Sequence, residues 1–181
     1  MYAPHFAAAL AVKSKAKSAP LWALMVGAFL ADLLWILFAR IGIEPAQQDV
    51  FFDDWSHSLF AIVFEASVFA AFFFRRGRTA VIAIWLAVFS HFLLDVPVHP
   101  KRLALYPLSK IHLGWESAPW GNEIWLGAPK DWWLQFFVLL TLLLVYMQGS
   151  HANHLPGRLV LASCLLLLSV QLLTLYPCFG Y

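Results

Sequence analysis

Five long apolar stretches dominate the pattern of the chain, and charged or polar segments separate them. They cover residues 21–39, 55–74, 79–96, 132–147 and 159–175. A helix that crosses a bilayer needs about 20 mainly apolar residues, so the pattern predicts five membrane-spanning helices. The one long polar and aromatic segment, residues 97–131, then forms an extended loop. The predicted fold is an all-α, polytopic transmembrane helix bundle that forms a single domain over residues 1–181.

A shorter apolar run precedes the first span and allows two interpretations. Residues 7–12 follow Pro4-His5-Phe6 and end in a lysine-rich segment before Pro20. In one interpretation the run forms a half-membrane helix antiparallel to the first span, which brings His5 to the depth of Asp32. In the other it forms an amphipathic helix on the inner membrane surface, with His5 far from Asp32.

Composition supports a membrane protein and gives no reason to expect a nucleic-acid partner. Of the 181 residues, 62% are hydrophobic and 12% are charged, and the mean hydropathy is +0.74. A typical soluble domain has about 45–50% apolar and about 25% charged residues. The formal net charge is only +2. We therefore expect membrane lipids, and partner membrane proteins, around this chain.

Basic residues are concentrated on one side of the predicted bundle. Seven of them, and no acidic residue, fall on the side of the N-terminus: Lys13, Lys15, Lys17, Arg75, Arg76, Arg78 and Arg158. Positive charge marks the cytoplasmic side of membrane proteins. The pattern predicts a cytoplasmic N-terminus, an external C-terminus and an external loop over residues 97–131. That loop is either a lid over a site or a passive cap at the membrane interface.

Ionisable residues within the spans all fall in the outer half of the predicted bilayer. They are Asp32, His57, Glu65, His91 and Asp95. Since His91 and Asp95 are four residues apart, they share one helix face. Imidazole and carboxylate groups together suit a divalent ion, with zinc favoured over manganese or iron. The alternative interpretation is a set of hydrogen bonds that hold the helices together.

Several short motifs resemble the inner-membrane metal-dependent hydrolase family. They are Phe89-Ser-His91-Phe-Leu-Leu-Asp95, His99-Pro100, Leu105-Tyr106-Pro107, Ser56-His57-Ser58, the N-terminal His5 and Ala31-Asp32. The resemblance covers about the first 110 residues. It departs from the family pattern in two places. Leu34 stands where the family has a second Asp, and the HRG that the family places before its THS element is absent. The resemblance implies a bacterial cytoplasmic membrane protein whose metal ligands are His5, Asp32, His57, His91 and Asp95.

The sequence leaves three classes of function open. The first is a membrane-embedded hydrolase in which a metal-activated water attacks an ester or phosphoester of a lipid-linked substrate, with Glu65 accepting the proton. The second is a haem- or pigment-binding subunit with His57 and His91 as axial ligands. The third is a transporter or a non-catalytic subunit of a larger membrane complex. Metal analysis, a visible absorption band or stable co-purification with large partners would distinguish them.

Overall fold

The chain is mostly helical in the part that the computed structural model describes, which is residues 2–44, 53–97, 103–114, 124–125, 128–148, 158, 162 and 165. The helices are α1 (Tyr2–Lys15), α2 (Leu21–Ala28), α3 (Leu30–Arg40), α4 (Asp54–His57), α5 (Leu59–Ala71), α6 (Arg78–Asp95) and α7 (Lys130–Met147). A 3₁₀ turn, Phe74–Arg76, joins α5 to α6. The strands are β1 (Leu103–Ala104), β2 (His112–Leu113), β3 (Ile124–Trp125) and β4 (Ala128–Pro129).

Two of the predicted spans correspond to continuous helices. The prediction for 79–96 corresponds to α6, the one described helix that is long and apolar enough to cross a membrane by itself. The prediction for 132–147 corresponds to α7, whose apolar part is shorter. The span predicted at 159–175 lies outside the described residues, apart from two isolated positions. The structure thus agrees with an all-α class without establishing a five-span bundle.

The predicted spans over 21–39 and 55–74 are each interrupted in the structure, although α2 and α3 together are long and apolar enough to cross a membrane. The first bends by 52° between α2 and α3, where Phe29 leaves helical geometry with φ −115° and ψ 8°. The second breaks at Ser58, which is extended with ψ 153°. The Ser58 hydroxyl accepts a hydrogen bond from Ala61 N at 3.3 Å and so caps the start of α5. Both breaks lie beside predicted site residues, Asp32 and His57.

The N-terminal helix lies inside the bundle, as the hairpin interpretation expects and the surface-helix interpretation does not. Helix α1 packs against α2, α6 and α7. Ala7, Ala9 and Leu10 are fully buried on it. The small alanine side chains of α1, α2 and α6 form one continuous core, which lets these helices approach closely. This packing carries His5 into the centre of the molecule.

The predicted loop over 97–131 contains short antiparallel strands in its described parts, and α7 already begins at Lys130. Strand β1 pairs with β2, and β3 pairs with β4. The first of these hairpins, residues 103–113, turns back onto the bundle. Leu103 is buried against Ala31, Ile62 and Phe92. This hairpin is therefore part of the folded core and covers the end of the bundle that holds the site.

Candidate metal centre

Five predicted site residues from four helices meet at one place in the bundle. His5 comes from α1, Asp32 from α3, His57 from α4, and His91 and Asp95 from α6. Four distances between histidine nitrogens and aspartate oxygens describe the geometry of the cluster. From Nε2 to the nearest carboxylate oxygen, His5 lies 3.4 Å from Asp95, His57 lies 3.5 Å from Asp32, and His91 lies 3.2 Å from Asp95 and 4.0 Å from Asp32.

These side chains form two groups whose donor atoms are close enough to hold a metal ion. Within the described residues, one group is His5, His91 and Asp95, and the other is Asp32, His57 and His91. His91 belongs to both. Its Nδ1 is 2.9 Å from the Ala28 carbonyl oxygen. A carbonyl oxygen only accepts, so Nδ1 carries a proton, and Nε2 is the ring nitrogen left to bind a metal ion. His91 offers one ring nitrogen to both groups, so the two groups share a ligand.

The break between α2 and α3 is what allows His91 to be oriented in this way. A side chain can reach a helical carbonyl where the backbone ladder is interrupted, and Ala28 is the last residue before the break. The bond to the Ala28 oxygen fixes the ring of His91, as second-shell bonds do for metal-binding histidines. The same break places Asp32 in the first turn of α3. One backbone feature thus positions two candidate ligands.

Several buried polar atoms of the cluster have no hydrogen-bond partner among the described residues. They are both ring nitrogens of His5, Oδ2 of Asp32 and Oε2 of Glu65. The His5 ring stacks on the His91 ring, with centroids 4.0 Å apart and planes inclined by 8°. Buried polar groups are nearly always satisfied, and a bound cation is one way to satisfy them. The donor set therefore fits a metal ion.

Access to the cluster is from the side of Asp32. Its side chain is 22% exposed, whereas those of His91 and Asp95 are 1% and 4% exposed. His5 is fully buried. The ring of His57 meets that of His91 edge-on, with centroids 5.2 Å apart. An ion or a substrate can thus approach along the face where Asp32 and His57 lie.

Two residues that the sequence analysis did not select, Ser56 and Glu44, form a chain of hydrogen bonds on the Nδ1 side of the His57 ring. Ser56 Oγ lies 2.8 Å from His57 Nδ1 and 2.9 Å from Glu44 Oε2. Glu44 Oε1 accepts hydrogen bonds from the backbone nitrogens of Trp55 at 2.7 Å and Ser56 at 3.0 Å. Burial raises the pKa of the Glu44 carboxyl above its ordinary value, and these hydrogen bonds oppose the rise. The available signal was a single acid directly after the short apolar stretch Ile41-Gly42-Ile43.

Glu65, the predicted proton acceptor, lies beside the cluster and outside both ligand groups. It projects from α5, is buried at 8% exposure, and interacts electrostatically with His91 and Glu44. Its Oε2 has no hydrogen-bond partner among the described residues. A carboxylate in this position is available for proton transfer without being committed to an ion.

The hairpin of β1 and β2 is attached to the helices that carry His57 and Glu65. Leu105 O accepts a hydrogen bond from Phe60 N at 3.0 Å, which satisfies a free N–H in the first turn of α5. Leu108 N donates to Asp54 Oδ2 at 2.9 Å. Asp54 is buried at 6% exposure, so this hydrogen bond is shielded from solvent.

Comparisons with protein-family models, with curated proteins and with solved structures found no match to this chain.

Proposed function

We propose that this protein is a multi-pass protein of the bacterial cytoplasmic membrane that hydrolyses an ester or phosphoester with the help of one divalent metal ion. The ligands are His57, His91, Asp95 and Asp32, with His5 as a further donor. Zinc is favoured over manganese or iron, because imidazole and carboxylate ligands suit it. The substrate is lipid-linked, and membrane lipids surround the protein.

The observation that carries the proposal is the spacing of the donor atoms. Ligands of one tetrahedral zinc ion, each about 2.0–2.2 Å from the metal, lie roughly 3.3–3.6 Å apart. The His5–Asp95 and His57–Asp32 separations of 3.4 and 3.5 Å fall in this range. The two separations from His91, 3.2 and 4.0 Å, lie close to it. Hydrogen bonds between nitrogen and oxygen are usually 2.7–3.2 Å long, so three of the four separations are long for direct bonds.

The distribution of large and small apolar residues supports the membrane location. Alanine fills the core between helices, while large apolar side chains face outward, among them Trp22, Leu37, Phe60, Phe64, Phe72 and Leu93. In water such large groups would be expected inside. In lipid, helices pack through small residues and expose large apolar ones. We therefore retain the predicted topology, with the N-terminus in the cytoplasm and the C-terminus outside.

The chemistry assigns separate tasks to the side chains. A zinc ion held by these ligands would supply a water molecule of lowered pKa for attack on a carbonyl or phosphoryl group. Glu65, which is buried beside the cluster without belonging to a ligand group, is the residue that would accept a proton there. Asp32 lies on the open side, where the scissile group approaches. A lipid-linked substrate is consistent with a site that the sequence pattern places in the outer half of the bilayer.

The alternative of a haem- or pigment-binding subunit is less compatible with this geometry. A macrocycle held by His57 and His91 must lie between their rings. The ring centroids are 5.2 Å apart and the rings meet edge-on, and Asp32 lies near both nitrogens. These contacts leave no gap for a planar macrocycle. A non-catalytic role within a larger membrane complex remains the competing proposal, and metal analysis separates it from a hydrolase.

Elemental analysis of the detergent-purified protein tests the metal site. We expect close to one zinc ion per chain in the wild type, and none in the His91→Ala/Asp95→Ala variant, because His91 is shared by both ligand groups. A Ser67→Ala variant serves as the control, since Ser67 lies on α5 and bonds Val63 O and Trp85 Nε1. It should retain the ion. A wild-type protein that binds no metal even after reconstitution would contradict the proposal and make the cluster structural.

A further inference from the structure

We infer that Glu44 and Ser56 are positioning residues, which hold His57 in the tautomer whose Nε2 faces the donor cluster. The inference concerns the ring of His57 in the metal-free protein. Its consequence for metal binding rests on the function proposed above.

The first step is the direction of the hydrogen bond between Ser56 and His57. The Ser56 hydroxyl has one hydrogen, and two acceptors compete for it besides His57. Glu44 Oε2 is 2.9 Å away and Asp53 O is 3.2 Å away. With either acceptor, Ser56 Oγ is left to accept from the ring, so His57 Nδ1, 2.8 Å away, carries the proton. Nε2 then bears the lone pair and faces Asp32 at 3.5 Å.

The second step is the role of Glu44, which makes Ser56 an acceptor towards the ring. Glu44 is fully buried, and its Oε1 is committed to the backbone nitrogens of Trp55 and Ser56. Only Oε2 faces the Ser56 hydroxyl, and a carboxylate oxygen can only accept. Glu44 thus draws the hydroxyl hydrogen away from His57. Partners of this kind fix the ring and tautomer of metal-binding histidines and contribute about 10–100-fold to metal affinity.

The Glu44→Gln substitution reverses this single interaction while conserving the size of the side chain. The amide oxygen stays with the two backbone nitrogens, because only an acceptor can face them. The amide nitrogen then faces Ser56 and donates to its hydroxyl oxygen. Asp53 O, 3.2 Å away, is then the one acceptor that still competes with His57 Nδ1 for the hydroxyl hydrogen, so the tautomer with the proton on Nε2 gains population. Ser56→Ala removes the acceptor altogether, and Ser56→Thr restores it.

The primary measurement is nitrogen-15 NMR of histidine-labelled, metal-free protein under alkaline conditions, with the His57 signals assigned from a His57→Gln variant. We expect the Nδ1–H tautomer in the wild type and in Ser56→Thr. We expect its population to fall in Glu44→Gln, where Asp53 O still competes for the hydroxyl hydrogen, and its loss in Ser56→Ala. The tautomer readout requires neither metal nor activity, so it tests the inference even if the proposed function fails. An unchanged Nδ1–H tautomer in both Glu44→Gln and Ser56→Ala would overturn the inference.

The second measurement is the dissociation constant for zinc, obtained by competition with a chelator. We expect it to rise about 10–100-fold in Glu44→Gln and Ser56→Ala, and to stay near the wild-type value in Ser56→Thr and in the control Ser67→Ala. An equal weakening in Ser56→Thr and Ser56→Ala would contradict the positioning role, since threonine keeps the hydroxyl. If the wild type does not bind zinc, the proposed function is contradicted. The NMR measurement of the His57 tautomer then decides the inference by itself.

Discussion

His91 is the most constrained residue of the candidate site. Its ring stacks on His5, meets His57 edge-on, and is bonded through Nδ1 to the Ala28 carbonyl oxygen. Neither a rotation nor a change of tautomer is available without breaking one of these contacts. These contacts therefore fix the position of its Nε2, which is the nitrogen that both ligand groups share.

At the residue scale we expect the Glu65→Gln substitution to separate catalysis from metal binding. Glutamine keeps the shape of the side chain but cannot take a proton, so hydrolysis of a chromogenic ester or phosphodiester should fall about 10²–10⁴-fold. The zinc content should be unchanged, because Glu65 lies outside both ligand groups. Wild-type activity in this variant would exclude Glu65 as the proton acceptor. Loss of zinc would instead make it a ligand.

The sequence identified the residues that the structure brings together, but it did not identify what orients them. Asp32, His57, His91 and Asp95 could be found because an ionisable side chain within an apolar run is conspicuous. His5 was reached through the hairpin interpretation and the family resemblance. Glu44 lies just outside such a run, where an acid is ordinarily solvated. Its burial depends on α3 and α4 coming together, which is a tertiary fact that no local pattern contains.

For the helices too, the local sequence pattern predicts some features, while others depend on tertiary contacts. Helix α6 could be predicted almost to the residue, because nothing interrupts its apolar run. The breaks at Phe29 and Ser58 could not, since neither position carries a proline or glycine. Tertiary hydrogen bonds surround both breaks: His91 bonds the Ala28 oxygen, and Leu105 bonds Phe60 N.

The tip of the β1–β2 hairpin contains a strained residue that a single side chain holds in place. Leu108 has φ 65°, a left-handed conformation that costs a residue other than glycine about 1–3 kcal/mol. Its N–H bonds Asp54 Oδ2 at 2.9 Å. Because Asp54 and His57 belong to the same four-residue helix, the hairpin and the candidate site are mechanically connected.

At the element scale we expect the Asp54→Ala substitution to loosen this hairpin. A hydrogen bond to a carboxylate contributes about 1.5 kcal/mol or more, so amide hydrogen exchange over residues 103–113 should become roughly tenfold faster. Exchange in α6 should not change. Adding Leu108→Gly should restore part of the protection, since glycine adopts positive φ without cost. The neighbouring Asp53→Ala variant is the control, and an equal effect there would contradict the assignment to Asp54.

Across the described part of the chain, alanine is common in the core and many large apolar side chains are exposed. Gly27 illustrates how close the helices are, because a Cβ there would lie 3.1 Å from Val88 Cγ2 and 3.4 Å from Phe69 Cε1. Such close packing brings His5, on a helix built largely of alanine, to within 3.4 Å of Asp95. Hydropathy alone predicted the helical class, but not that the N-terminal helix lies at the centre.

At the scale of the whole molecule we expect chemical labelling to reveal the proposed orientation. Lys17 lies on the basic side and Lys110 at the tip of the hairpin, and both are exposed. In a background with Cys164 and Cys178 replaced by serine, Lys110→Cys in intact spheroplasts should react with a membrane-impermeant maleimide. Lys17→Cys should react only after lysis. The opposite pattern would invert the topology, and equal reaction of both in intact spheroplasts would contradict a spanning bundle.

The central position of α1 has a consequence for how the protein is made. His5 leaves the ribosome before its partners, because His91 and Asp95 follow it 86 and 90 residues later in the chain. At about 5–20 residues per second, the first donor waits roughly 4–18 seconds for its partners. The donor set contributed by α1, α3 and α6 cannot come together before α6 has been synthesised and inserted. For the proposed metal centre, binding of the ion is therefore a late event in biogenesis, and a chain stalled before α6 carries an incomplete donor set.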